Sequence, residues 1–138
     1  HYSLAFDLAP DPRTAIEGRA TLTFSLASLD EPLVLDFAGG PDTIRHLQVN
    51  ERAITPVVLH GHIVIAAAAL QVGANHIDVE FVAGDGPIHR RDGYLYTLFV
   101  PARAHEAFPC FDQPDLKAGY ALTLSMPGDW DAVANAPE

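Results

Sequence analysis

Along several stretches of this chain every second residue is apolar. That period of two admits one local structure, a β-strand with one buried and one solvated face. Ala20, Leu22, Phe24 and Leu26 alternate with Arg19, Thr21, Thr23 and Ser25, and Tyr120, Leu122, Leu124 and Met126 with Ala121, Thr123 and Ser125. Leu4, Phe6 and Leu8 form a third set, Leu33, Leu35 and Phe37 a fourth, and Ile77, Val79 and Phe81, opposite Asp78 and Glu80, a fifth. Between them lie turn formers: Pro10-Asp11-Pro12, Asp30-Glu31-Pro32, Gly39-Gly40-Pro41, Val49-Asn50-Glu51, His60-Gly61-His62, Gly73-Ala74-Asn75 and Gly84-Asp85-Gly86-Pro87. Gly and Asn supply positive φ and Pro fixes its own, so these are breaks with a mechanism. Half-buried strands broken at such intervals predict an all-β fold, a β-sandwich or saddle-like sheet. Residues 66–70, rich in Ala, read as a strand end followed by a turn.

A chain of 138 residues, 49% apolar and 19% charged, fits one domain with a real core. No internal repeat divides it, so residues 1–138 are expected to be a single β domain. The formal charge of −10 repels phosphate backbones and anionic headgroups, which excludes nucleic acid and a membrane surface as partners. Cys110 is the one cysteine, so neither an internal disulfide nor a multi-cysteine zinc site is open to this chain. The apolar run 63–70 is too short to span a bilayer. A soluble protein of a bacterial cytoplasm or periplasm is the expectation. The chain starts at His1 and stops after Ala136-Pro137-Glu138, which fits a piece of a longer protein.

Few residues offer chemistry. His60 and His62, two apart, would share a face of a strand and grip a metal, but the Gly between them fits a hairpin turn and no third ligand lies close in sequence. Cys110 has His105 five residues earlier, yet Phe108, Pro109 and Phe111 around it read as a buried apolar thiol. Asp112 and Asp115 flank Gln113-Pro114 and would suit an acid–base pair; a cap on a turn made by Pro114, with Asp115 opening a short helical turn, is the preferred reading. Trp130 reads as a core plug at a strand end. No serine sits in a nucleophile elbow, and no Gly-rich phosphate loop occurs.

The string Phe108-Pro-Cys-Phe-Asp-Gln-Pro-Asp-Leu-Lys-Ala118, with Asp92-Gly-Tyr-Leu-Tyr-Thr before it and Met126-Pro-Gly-Asp-Trp130 after it, resembles the N-terminal domain of the zinc aminopeptidases of the aminopeptidase N family, which also holds the leukotriene-type epoxide hydrolases. Weaker similarity runs back to the first strand. The resemblance implies an antiparallel, saddle-like β domain laid against a thermolysin-like catalytic domain. That partner would carry the zinc, in H-E-x-x-H with a downstream Glu, and a Gly-x-Met-Glu-Asn segment for the peptide's amino end. Neither motif occurs in this chain, so no catalytic residue and no metal ligand is assigned to it.

In that family the domain supplies one wall of the substrate pocket through a Gln-x-Glu segment after the Tyr-x-x-Thr strand. The matching positions here are Leu98 and Val100, both apolar. An ammonium in a closed pocket needs amide and carboxylate oxygens, and aliphatic carbons leave its desolvation uncompensated. The implication is a parent enzyme with altered recognition of peptide amino termini, or a scaffold that has lost peptidase activity. A domain separated from its neighbour should also expose an apolar patch, expected around Leu98, Phe99, Val100 and residues 108–114.

Overall fold

The alternating stretches become strands. The computed structural model describes residues 1–135, so the terminal residues 136–138, on which part of the fragment expectation rests, lie outside the described residues. Eleven strands run in chain order: β1 (Tyr2–Asp7), β2 (Glu17–Leu26), β3 (Leu33–Asp36), β4 (Ile44–Val49), β5 (Arg52–Ala53), β6 (Val58–Leu59), β7 (His62–Ile65), β8 (Gly73–Val82), β9 (Ile88–Arg91), β10 (Tyr94–Thr97) and β11 (Tyr120–Ser125). Three single turns of 3-10 helix interrupt them, at Pro41–Thr43, Ala67–Ala69 and Ala104–Glu106. Among the described residues no helix is long and apolar enough to cross a membrane.

Six strands form the main sheet in the order β11-β1-β2-β8-β4-β5, three form a second sheet in the order β3-β7-β6, and β9 with β10 makes a two-stranded ribbon. Pairing is antiparallel except between β1 and β11, which run parallel from Tyr2 opposite Tyr120 to Asp7 opposite Ser125. The fold is thus all-β, with one parallel edge added to the expected antiparallel architecture.

The inner face of the main sheet presents Leu4, Phe6, Ala20, Leu22, Leu47, Val49, Ile77, Val79 and Phe81 to Leu35, Phe37, Ile63 and Ile65 of the second sheet, and all are buried in one cluster. Phe81 lies at its centre, edge-on to Phe6 at 6.1 Å and to Phe37 at 5.6 Å between ring centroids. Gly18 makes room for it, because a Cβ there would sit 2.6 Å from the Phe81 ring. The outer face is polar and laced across strands. Arg19 pairs with Glu80 at 3.0 Å, and the Thr21 hydroxyl donates to Asp78 at 2.6 Å.

β4 carries a bulge between Ile44 and His46, which moves the buried positions to Ile44, Leu47 and Val49. Its apolar spacing is therefore three and then two, and simple alternation does not reveal it. Turns behave as their residues dictate: Asn50 and Glu51, at φ +46° and +66°, join β4 to β5, and His60 and Gly61, at +51° and +80°, join β6 to β7. Two consecutive positive φ values match the right-handed twist of the strands they connect. The strand-end-and-turn reading of 66–70 is met by β7 ending at Ile65 and the 3-10 turn that follows.

One expectation of half-burial fails. In β11, Tyr120 remains 50% and Leu122 40% exposed, because the layer that covers Leu4 and Phe6 of β1 stops short of the edge strand.

Candidate functional site

The ribbon β9–β10 turns at Asp92-Gly93, where Gly93 adopts φ +81°. Arg90 anchors it from beneath. Its guanidinium donates to both carboxylate oxygens of Asp85 at 2.7 Å and to the Thr14 carbonyl at 2.5 Å, and only 13% of the side chain meets solvent. On the other face Tyr94, Tyr96, Leu98 and Val100 stand in a row, 57%, 52%, 46% and 70% exposed. His89 stacks on Tyr96 at 4.7 Å and 21°.

Leu98 and Val100 continue the row beyond the strand for a local reason. The Leu98 amide donates to the Pro87 carbonyl at 2.8 Å, and the Phe99 ring turns inward onto Phe108, edge-on at 5.6 Å. With Phe99 half-buried against the core, its two neighbours are left exposed. The segment that follows is clamped by Arg103, which donates to both Glu106 oxygens, at 2.9 and 2.8 Å, and to the Gly86 carbonyl at 2.9 Å. The guanidinium holds the Glu106 carboxyl below its ordinary range.

Residues 108–114, expected to share the exposed patch, divide: 108–110 are buried, Phe111 and Asp112 are half-buried, and Gln113 and Pro114 are exposed. Phe108 and Cys110 are buried, and the Cys110 backbone bridges Asp36 of β3 in both directions, at 2.8 and 3.1 Å. Asp36 then takes the next turn in hand: its Oδ2 accepts from the Asp112 amide and from Gln113 Nε2, both at 2.9 Å. The Phe111 amide donates to the Tyr2 hydroxyl at 3.0 Å. Burial pushes the Cys110 thiol far up from its ordinary value and raises the Tyr2 phenol as well. A thiol so placed stays protonated and is a poor nucleophile.

The remaining candidates separate. His105 does not address Cys110; its Nδ1 lies 2.6 Å from Asp112 Oδ2, which also accepts the His105 amide at 3.1 Å. Asp112 therefore reaches back to the 3-10 turn at Ala104–Glu106 instead of capping the turn made by Pro114, and no helical turn forms at Asp115. His60 occupies the hairpin tip while His62 lies on β7, its Nδ1 3.0 Å from Asp36 Oδ1 but without hydrogen-bond alignment. Among the described residues no three His, Cys, Asp or Glu side chains converge as metal ligands. Trp130 is half-buried in a loop, lining a slight cleft with Leu8, Pro12, Ile16 and Leu95. Sequence reasoning overlooked Tyr94 and Tyr96, whose alternation with Leu95 was present to be read.

Residues 88–138 match the family model of the peptidase M1 N-terminal domain, a match that begins at β9 and takes in the whole ribbon and the 108–118 string. Aminopeptidase N of Streptomyces lividans is 43% identical over 44 residues, 32% of this chain and 5% of that protein. Aminopeptidase M1 of Arabidopsis thaliana is 46% identical over 41 residues, 30% of this chain and again 5% of the relative. The chain thus spans a small part of the length of the curated relatives it matches. Among solved structures, Legionella pneumophila aminopeptidase A in complex with aspartic acid superposes over 90% of this chain and 15% of its own, with TM-score 0.75 and 22% identity. The M1 zinc metallopeptidase of Deinococcus radiodurans superposes over 92% of this chain and 32% of its own, with TM-score 0.69 and 21% identity.

Proposed function

We propose, from the premise that this chain is an N-terminal domain of the M1 peptidase family, that it performs no chemistry itself and serves as the wall of a peptide pocket completed by a zinc metallopeptidase domain of the same protein. The observation that carries this reading is the row Tyr94, Tyr96, Leu98 and Val100, an apolar strip held outward on an anchored ribbon. Four large side chains left in water within seven residues, two on β10 and two just past it, are costly unless something covers them. Zinc chemistry would belong to the partner domain. Among the described residues His60 and His62 do not converge with a third ligand, and a catalytic zinc needs three protein ligands and an open position. No step of a reaction is assigned to these residues.

Leu98 and Val100, the positions that match the family's polar pair, would then face the first residue of the peptide. Aliphatic carbons there select for an apolar contact and leave an amino terminus to be held by groups of the partner domain. The same apolar pair favours a second reading, a member that keeps the architecture without peptidase activity.

The test compares the parent protein with the 138-residue chain. Hydrogen exchange at residues 94–102 should be slower in the parent, and L98Q/V100E should lower KM for an alanine arylamide by about tenfold, the worth of one charge-assisted hydrogen bond or slightly less. Equal exchange in the two forms sinks the wall; protected amides without hydrolysis by the zinc-loaded parent select the scaffold.

A further inference from the structure

The connection between β8 and β9 holds both the ribbon and the segment that follows it. Asp85 takes the Arg90 guanidinium and so seats the ribbon, while the next two carbonyls serve what comes after: Pro87 accepts from the Leu98 amide at 2.8 Å and Gly86 from the Arg103 guanidinium at 2.9 Å. Residues 98–103 therefore form a short arm with both feet on neighbouring carbonyls. Val100, 70% exposed, stands between those feet. Pro87 is fully buried and its ring fixes φ, so the base beneath the arm is rigid.

The arm does not rest in a relaxed conformation. Ala102 adopts φ +95°, a region that a residue with a Cβ seldom occupies and keeps only where its surroundings hold it there. The hold comes from the residue that follows. The Arg103 amide closes the arm on the Phe99 carbonyl at 2.9 Å, and its guanidinium forks onto both oxygens of Glu106 as well as reaching Gly86. Glu106 fits beside Gly86 only because that residue is a glycine, since a Cβ there would collide with the carboxylate. One planar cation thus ties together residues 86–87, 98–103 and 104–106, and its removal would leave a carboxylate unpaired against Gly86. Stability alone would be served by a relaxed arm; a strained one kept in place by a charge-assisted clamp serves to position what it carries.

We propose that Arg103 is the positioning residue of the pocket wall, holding the arm in its strained form so that Leu98 and Val100 meet the first side chain of the peptide at a fixed place. The inference rests on the proposal that this chain walls a peptide pocket, and it supplies the reason why aliphatic side chains on a segment outside any strand discriminate between substrates. A wall that yields to each substrate accepts large and small apolar residues alike, whereas a fixed one rewards the side chain that reaches it. Arg103 acts through Leu98 and Val100 and touches no substrate itself.

The test compares the zinc-loaded parent protein with its R103M variant, in which the side chain keeps roughly its length and loses every donor. Exchange at the amides of residues 98 and 103 should become at least about tenfold faster. The preference for a leucine over an alanine arylamide, taken as the ratio of their kcat/KM values, should fall about several-fold through a higher KM for the leucine substrate, with kcat little changed. A purely structural role would lower the active fraction, and with it both kcat values together, leaving the ratio where it was. Unchanged exchange overturns the clamp, and faster exchange with an unchanged ratio overturns the positioning role. A parent inert towards both arylamides sinks the enzyme reading instead, and exchange then decides on Arg103 by itself. Should R103M fail to fold, A102G/R103M takes its place: glycine adopts φ +95° freely, which removes the strain yet leaves the foot at Gly86 unpinned, and the same two measurements decide.

Discussion

At the scale of single residues, Asn75 is fixed by its hydrogen bonds and Gly84 by the space around it. Asn75 is the one polar residue buried among those described, and its amide is fully used: Oδ1 accepts from Asn50 Nδ2 and the Gln71 amide, and Nδ2 donates to the carbonyls of Gln71 and Gly73. Removing it strands several of those partners at once. Asn75→Ala should cost about 2–4 kcal/mol in urea unfolding, more than the loss of one exposed hydrogen bond. Gly84 is different in kind. A Cβ at this position would collide with the Glu106 carbonyl oxygen, a backbone atom that cannot rotate away. Gly84→Ala should therefore destabilise by about 2 kcal/mol or more and loosen the turn at Ala104–Glu106, whereas Gly128→Ala, with open space around it, should be near neutral.

Elements show where alternation was sufficient and where it was not. β1, β2, β3 and β8 were legible because each buries alternate residues against one core, which is the condition under which a period of two appears in a sequence. β4 was not, since its bulge shifts the buried set, and neither was the parallel direction of β11, because alternation carries no information on which way a neighbour runs. The 108–118 string was recognisable, but its burial was not. Its grip on β3 comes from Asp36, a residue 76 positions before Asp112, and long-range pairing of that sort leaves no local mark. Asp36→Ala removes the acceptor of the Asp112 amide and the Gln113 side chain. It should speed modification of Cys110 by a thiol reagent at least several-fold relative to the unaltered chain, with a loss of about 1–3 kcal/mol in stability.

For the whole molecule, the surface row at Tyr94 to Val100 was half legible: Leu98 and Val100 came from resemblance, and the two tyrosines required the ribbon's register. What the fold does to its titratable groups was hidden entirely, since that depends on burial. The directions define a window of stability. Arg13 and Arg103 hold the Asp11 and Glu106 carboxyls below their ordinary values, so the unfolded chain takes up those protons first on acidification. Their contribution is present above the ordinary carboxylate range and is lost as pH falls through the folded values. Cys110 and Tyr2 act at the other end. Burial raises both, so the unfolded chain releases protons that the folded chain retains, and stability declines as pH rises above the unfolded values, about 8.5 for the thiol and about 10 for the phenol. The net charge of −10 adds self-repulsion in the same direction. Between those two values the thiol acts alone, and each pH unit removes up to about 1.4 kcal/mol. Cys110→Ala should accordingly cost about 1 kcal/mol near neutrality yet show a much flatter decline up to about pH 10, so that the two urea midpoints converge as pH rises. Parallel declines in the two proteins would mean that the thiol ionises in the folded chain and that Cys110 is not sealed in the core beside β3.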